Sequence, residues 1–424
     1  MSSDAPACVA LRNQVPADWD VPALASVTDF QEGPGILAKD FRGSGVPLLR
    51  LRNIETPTVQ LGGCNFLDPE LVARRWRHFG LAEGDFLIST SASLGRVSVV
   101  GLDAVGAIPY TGIIRFRSAS PKLHHKYLRA FLSSSAFIQQ AEQMATGSVI
   151  RHFGPSHLRQ MAIALPPLDE QLHIAEVFDV LDARVALLRE TNATLEAIAQ
   201  ALFKSWFVDF DPVRAKHQGL APVGMDEATA ALFPDSFEES ALGPVPKGWP
   251  VKTLQDLLVL QRGFDLPAQD RVPGDFPIIA ASGPSGTHAE AMAKGPGVVT
   301  GRSGVLGRVF LELDDHWPLN TTLWVKEFRG ATVCYAYEAL RLLDFKAFNA
   351  GSAVPTLNRN HIHGLPYVIP PLGCIEAYEV LAIRLHRRAR LNAQQAQTLA
   401  TLRDTLLPRL ISGQLRLPEV EAIA

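Results

Sequence analysis

The stretch from 165 to 207 constrains the fold more than any other. It reads LPPLDEQLHIAEVFDVLDARVALLRETNATLEAIAQALFKSWF. Pro166 and Pro167 stop whatever precedes them, and Asp169 is placed to cap a helix, with Glu170 in its first turn. Seam residues then recur at alternating steps of four and three: Ile174, Phe178, Leu181, Val185, Leu188, Asn192, Leu195, Ala199, Leu202 and Trp206. That is heptad spacing, and no Gly or Pro breaks it. At ~1.5 Å per residue the helix would be roughly 50 Å long. Its apolar stripe is narrow, so it asks for a partner helix rather than a globular core.

The partner is in the same chain. Residues 369–413 open with Ile-Pro-Pro-Leu where the first stretch opens with Leu-Pro-Pro-Leu, and Pro370 stands 204 positions after Pro166. At that offset Leu181 falls on Leu385, Leu195 on Leu399, Leu202 on Leu406 and Trp206 on Leu410. The match extends upstream: Gly147-Ser148 falls on Gly351-Ser352, and His157 on His361. An internal repeat outranks any local motif as a statement of architecture. The expected order is a first mixed α/β domain over 1–165, a long helix over 166–210 and a linker over 211–246, then a second domain over 247–368, a second long helix over 369–415 and a tail over 416–424. The fold class is α+β, with the two long helices paired as an antiparallel coiled coil.

Antiparallel pairing makes a register prediction. Set centre against centre, 172–207 and 376–411 bring Asn192 opposite Asn392. A seam asparagine costs stability and fixes register and orientation. These two residues are therefore expected to meet.

Hydrophobic residues make up 47% and charged residues 20% of the chain, which describes an ordinary soluble protein. The four cysteines, at 8, 64, 334 and 374, have no metal-ligand spacing and read as free thiols of a reducing compartment. The N-terminal residues lack a basic segment followed by an apolar one, and no apolar run approaches the ~20 residues of a bilayer span, so a cytoplasmic protein is expected. Net charge is −3, so any polyanionic partner must be met by local basic patches.

Two windows lack acids. One, between Asp103 and Glu142, holds Arg115, Arg117, Lys122, Lys126 and Arg129 with His124 and His125; either it is a basic surface or its counter-charges lie elsewhere in the sequence. The other, between Asp344 and Glu376, keeps Lys346, Arg359, His361 and His363. Catalytic motifs are missing. There is no Asn/Asp-Pro-Pro-aromatic motif and no glycine-rich loop suited to S-adenosylmethionine. Gly301, Gly304 and Gly307 follow a predicted strand, but without the Lys-Ser/Thr of a phosphate-binding loop they read as a turn. His361-x-His363 would bind a metal if a third ligand came near, but satisfied or surface histidines are the commoner reading of such a pair.

Several of these stretches resemble the specificity (S) subunit of type I restriction–modification systems. They are Leu165-Pro166-Pro167-Leu168-Asp169-Glu170-Gln171, the run Leu202-Phe203-Lys204-Ser205-Trp206-Phe207-Val208-Asp209-Phe210-Asp211-Pro212, the strand Gly84-Asp85-Phe86-Leu87-Ile88-Ser89, and the two Gly-Ser pairs. The second helix departs from the pattern: Gly373-Cys374-Ile375 stand where the first has Asp-Glu-Gln. The resemblance implies two target recognition domains, each reading half of a bipartite, asymmetric DNA site, with the coil setting the spacer. It implies double-stranded DNA, two methyltransferase subunits and restriction subunits as partners. It places S-adenosylmethionine, ATP and Mg on those partners and no cofactor or catalytic residue on this chain.

Major-groove chemistry then nominates residues in polar loops between predicted strands. In the first domain these are Arg50, Arg52, Ser91, Arg96, Arg151 and His152, and in the second Ser282, Arg302, Ser303, Arg308, Asn358 and Arg359. Two rival readings remain: a stand-alone DNA methyltransferase or nuclease, which the missing motifs disfavour, and a coiled-coil scaffold with no DNA role.

Overall fold

The computed structural model describes residues 6–54, 57–90, 97–144, 153–348 and 355–416. The chain divides into two compact units, Met1–Arg189 with Gln394–Ala424, and Glu190–Ala393. The division falls inside both long helices, Leu168–Phe207 and Leu372–Ile411, each of 40 residues. At ~1.5 Å per residue each spans about 60 Å. Asp169 lies within the first turn of its helix rather than before it, because the helix already begins at Leu168. All ten seam positions of the first helix are buried or half-buried.

The repeat is visible as strand order. In the first unit an antiparallel sheet runs Thr28–Glu32, Ile113–Ser118, Phe86–Ser89, Val97–Val99. In the second the order is Leu258–Arg262, Thr322–Phe328, Gly297–Gly301, Val309–Glu312. Each unit adds a smaller sheet with one parallel pair, Val46–Leu49 beside Ile108–Pro109 and Phe276–Ala280 beside Trp317–Pro318. Trp19 and Trp249 are each 1% exposed in the respective cores. Gly33 donates its N–H to Ile113 O, and Gly263 donates to Thr322 O. A Cβ at either glycine would overlap a main-chain carbonyl, Pro109 O or Leu319 O, so both positions exclude any side chain.

The stretch 211–246, expected as a linker, is folded. It forms the helices Asp211–His217 and Glu227–Ala231 and the hairpin Phe237–Ser240 with Gly243–Pro246. Val213 and Phe233 are buried in the second unit's core. Its prolines and glycines mark tight turns within a packed segment, which composition alone does not separate from a flexible one.

Each unit holds a section of the helix pair. In the first, Val185 and Leu188 pack on Ala396 and Ala400, and Arg403 pairs with Asp182 at 2.6 Å. In the second, Tyr378 Oη donates to Ala199 O and Asn192 Nδ2 to Ala389 O at 2.7 Å. The facing positions run in opposite directions along the two helices, so the pairing is antiparallel. Asn192 thus reaches the opposing main chain one turn from Asn392, which is itself buried at 2% exposure. The hydrogen bond that Asn192 makes is to Ala389 and not to the Asn392 side chain.

Beside the helices, the second unit has an open cleft of about 850 Å³ lined by Asn192, Glu196, Glu312, Tyr337, Arg341 and His386, among others. Next to it Glu338 is 1% exposed and pairs with Arg341 at 3.2 Å. Burial raises the carboxyls of Glu312 and Glu338 to about 7, and Arg390 and Arg341 respectively counter only part of this.

Two predictions follow from this packing. Gly263→Ala should destabilise the second unit by about 1–3 kcal/mol through overpacking, read as a lower urea midpoint. Gly35→Ala, with nothing within 4 Å of its Cβ, is the matched control. The folded-state pKa of Glu338 lies above its ordinary value, so the stability it contributes is full below the ordinary carboxyl range and is lost as pH rises through about 7. Glu338→Gln should therefore flatten the loss of stability between about pH 5 and 8; an unchanged slope would contradict the assignment.

Candidate nucleic-acid interface

The basic window of the first unit is spent internally. Arg115 pairs with Asp29 at 2.6 Å, Lys122 with Asp20 at 2.9 Å, and Arg129 with Asp179 and Asp182 at 2.8 and 2.5 Å. Arg117 binds Asp85 through two nitrogens, and Asp85 is itself 3% exposed and accepts from Ala82 N. The counter-charges come from other elements, and the stretch is structural.

In the first domain Arg50 is half-buried with its guanidinium over the rings of Phe41 and Tyr110, at 5.1 and 5.5 Å. Arg52 is exposed and donates to Gly63 O. Ser91, Arg96, Arg151 and His152 lie outside the described residues. Their flanks are joined, because Phe153 donates its N–H to Thr90 O at 3.3 Å.

The second domain repeats that junction in full view. Leu357 donates to Arg302 O at 2.9 Å, and Ser303 bridges Thr356. This gathers Arg302, Ser303, Asn358 and Arg359, four of the sequence-nominated residues, at one end of the larger sheet. Arg302, Asn358 and Arg359 line an open cleft of about 490 Å³ together with Arg262, which the sequence did not nominate. Arg262 ends its strand, and only pairing of that strand to Thr322–Phe328 brings it to the cleft. Among the described residues the lining includes no acid. Arg262 is held by both oxygens of Asp265 at 3.0 and 3.1 Å, Asp265 accepts from Asn320 Nδ2, and Asn320 O accepts from Arg302 at 3.3 Å. Asn358 caps the helix Arg359–His363 by accepting from Asn360 N.

Ser282 and Arg308 form a separate pair: Arg308 donates to Ser282 O and stacks over Phe310 at 5.1 Å. Gly304 and Gly307 sit at φ of 87° and 86°, so this glycine run is the turn its sequence implies. His363 accepts from Leu260 N at 2.9 Å, which gives one ring nitrogen a structural task. Burial and the nearby Arg359 and Arg329 hold its pKa below the usual histidine value.

The two quoted motifs also find partners. Gln171 is 1% exposed; its amide donates to Lys122 O and Pro166 O and accepts from His124 N. Phe203, Trp206 and Phe207 pack with Tyr335, Tyr378 and Trp249 in the second unit's core. Val180 and Leu187 in one unit, and Ile198 and Leu391 in the other, leave apolar side chains exposed on the helices. Among the described residues no helix is long and apolar enough to cross a membrane.

Known proteins share this arrangement. Residues 16–197 match the family described as type I restriction modification DNA specificity domain. The MjaIX specificity subunit of Methanocaldococcus jannaschii is 24% identical over 96% of this chain and 96% of its own. The HindI specificity subunit of Haemophilus influenzae is 33% identical across 23% of this chain and 29% of its own. Among solved structures, the type I S subunit from M. genitalium aligns with a TM-score of 0.57 at 17% identity, covering 94% of this chain and 97% of that one. Residues 16–197 thus match the type I restriction modification DNA specificity domain, and the chain is similar over nearly its whole length to a type I restriction specificity subunit.

Proposed function

We propose that this chain is the non-catalytic recognition subunit of a type I restriction–modification complex, reading a bipartite, asymmetric DNA site with one domain per half-site. One observation carries the reading. The chain builds the same strand order twice and gives the two copies different polar side chains at matching loop junctions. Two like scaffolds with unlike loops suit a site whose halves differ. In each half, base edges are read by donors and acceptors in the major groove while phosphates are held by basic groups.

The two long helices act as the ruler between the half-sites, so their length decides how many unread base pairs separate them. Exposed apolar residues on the helices, Val180 and Leu187 among them, give methyltransferase subunits a surface to dock on. Those partners and the restriction subunits carry S-adenosylmethionine, ATP and Mg, and perform base extrusion and cleavage.

The test is the methylome of a host with and without this gene. One bipartite methylated motif should vanish on deletion, and loss of no motif contradicts the reading. Adding one heptad to each helix should lengthen the unread spacer while leaving both half-sites as they were. A changed half-site with an unchanged spacer would overturn the ruler.

A further inference from the structure

The two domains can be superposed in register by their own hydrogen bonds. Thr90 donates to Gly112 O and accepts from Phe153 N, while Arg302 donates to Thr321 O and accepts from Leu357 N. Thr90 and Arg302 are therefore the same position. Counting on from Phe153 and Leu357, Gly154 matches Asn358 and Pro155 matches Arg359. Gly33 and Gly263 make the same bond to the same strand, so Glu32 matches Arg262. Thus the three arginines of the second domain's cleft stand where the first domain has Glu32, Thr90 and Pro155.

That comparison separates folding from binding. The first domain builds the same junction with no arginine there, and its Glu32 carboxylate accepts from Gly112 N at 3.1 Å. The scaffold does not require these guanidiniums. They are nevertheless held in place, Arg262 by Asp265 and Arg302 by the Asn320 carbonyl, with Asn320 joining the two. Asp265 is the counter-ion of Arg262, but Arg302 and Arg359 bring two further cations to a lining whose described residues include no acid, and an anionic or acceptor-rich group would complete them. Arginine offers only donors, and Asn358 has its carbonyl oxygen occupied by Asn360 N and presents its amide donor.

We propose that the cleft of Arg262, Arg302, Asn358 and Arg359 is an acceptor-binding subsite private to the second domain. Its ligand presents paired DNA acceptors, the O6/N7 edge of a guanine or the oxygens of a phosphodiester. The assignment rests on the DNA-recognition reading above and makes the two domains chemically unequal: the second contributes ionic contacts that the first lacks at the same positions.

The experiment compares the full chain, assembled with its methyltransferase partners, with the R302Q/R359Q double variant and with R359Q alone. Arg359 is exposed, so its substitution leaves the fold intact; thermal unfolding monitors this in both variants. A guanine contact predicts that the methylated motif becomes degenerate at one G·C pair within one half-site, with about 10-fold lost discrimination there. A phosphate contact predicts an unchanged motif, weaker binding to all sequences, and a salt dependence of affinity shallower by about one ion per lost contact. Either outcome supports the subsite. If the unmodified assembly yields no methylated motif, the DNA-recognition reading fails. If it yields one, and the double variant matches it in motif, affinity and salt slope, the cleft assignment alone is overturned. Relaxation of both half-sites would overturn it equally.

Discussion

A narrow apolar seam between two helices of one chain is what the remaining structure is arranged to satisfy. Neither helix can bury its stripe alone, and the seam contributes only thin packing: small alanines at Ala396 and Ala400 against Val185 and Leu188, and a polar contact at Asn192. The helix ends are sealed differently. The first unit's core takes in Leu407, Leu410 and Ile411 from the second long helix, and the second unit's core takes in Phe203, Trp206 and Phe207 from the first. Each domain is completed by the end of the helix that belongs to the other repeat. Fold of the domains and pairing of the helices are thereby one problem, and neither repeat closes its core from its own residues.

Within that constraint the repeats diverge where packing permits. Gln171 pins the start of the first helix through three main-chain bonds. The matching position in the second helix is Ile375, 0% exposed, so the same junction is closed by apolar contact instead. This explains how the second helix tolerates Gly373-Cys374-Ile375 in place of Asp-Glu-Gln. A buried amide whose hydrogen bonds are all made and a buried aliphatic of similar bulk are alternative solutions to one site, whereas an amide left without partners would not be.

The parts of the fold legible in the sequence were those written in periodicity. The heptad steps gave the helix and its seam, and the shared Pro-Pro-Leu and Gly-Ser runs gave the repeat. Composition was a poorer guide. The Pro- and Gly-rich stretch 211–246 reads as a linker, yet it buries Val213 and Phe233, because a few apolar residues suffice to dock a segment whose turns are stiffened by proline. The register of the asparagines was legible to within one turn. Centre-to-centre alignment fixes which turns face each other but not whether a side chain reaches across to its counterpart or to the main chain.

Charge was the least legible quantity, and the reason is physical. An ion pair requires proximity in space, so a run of basic residues says nothing about where its acids lie. Arg115, Arg117, Lys122 and Arg129 occupy a window without acids and are all paired, with Asp29, Asp85, Asp20, Asp179 and Asp182 drawn from distant segments. Arg262 sits among ordinary strand residues and yet faces the open cleft. A scaffold that appears twice in one chain is its own control: a charged side chain that the other copy replaces by threonine, proline or an opposite charge, without altering the main-chain bonds around it, is not held by the demands of folding. By that criterion Arg302 and Arg359 are available for recognition, and Arg262 joins them at the cleft while shared with Asp265.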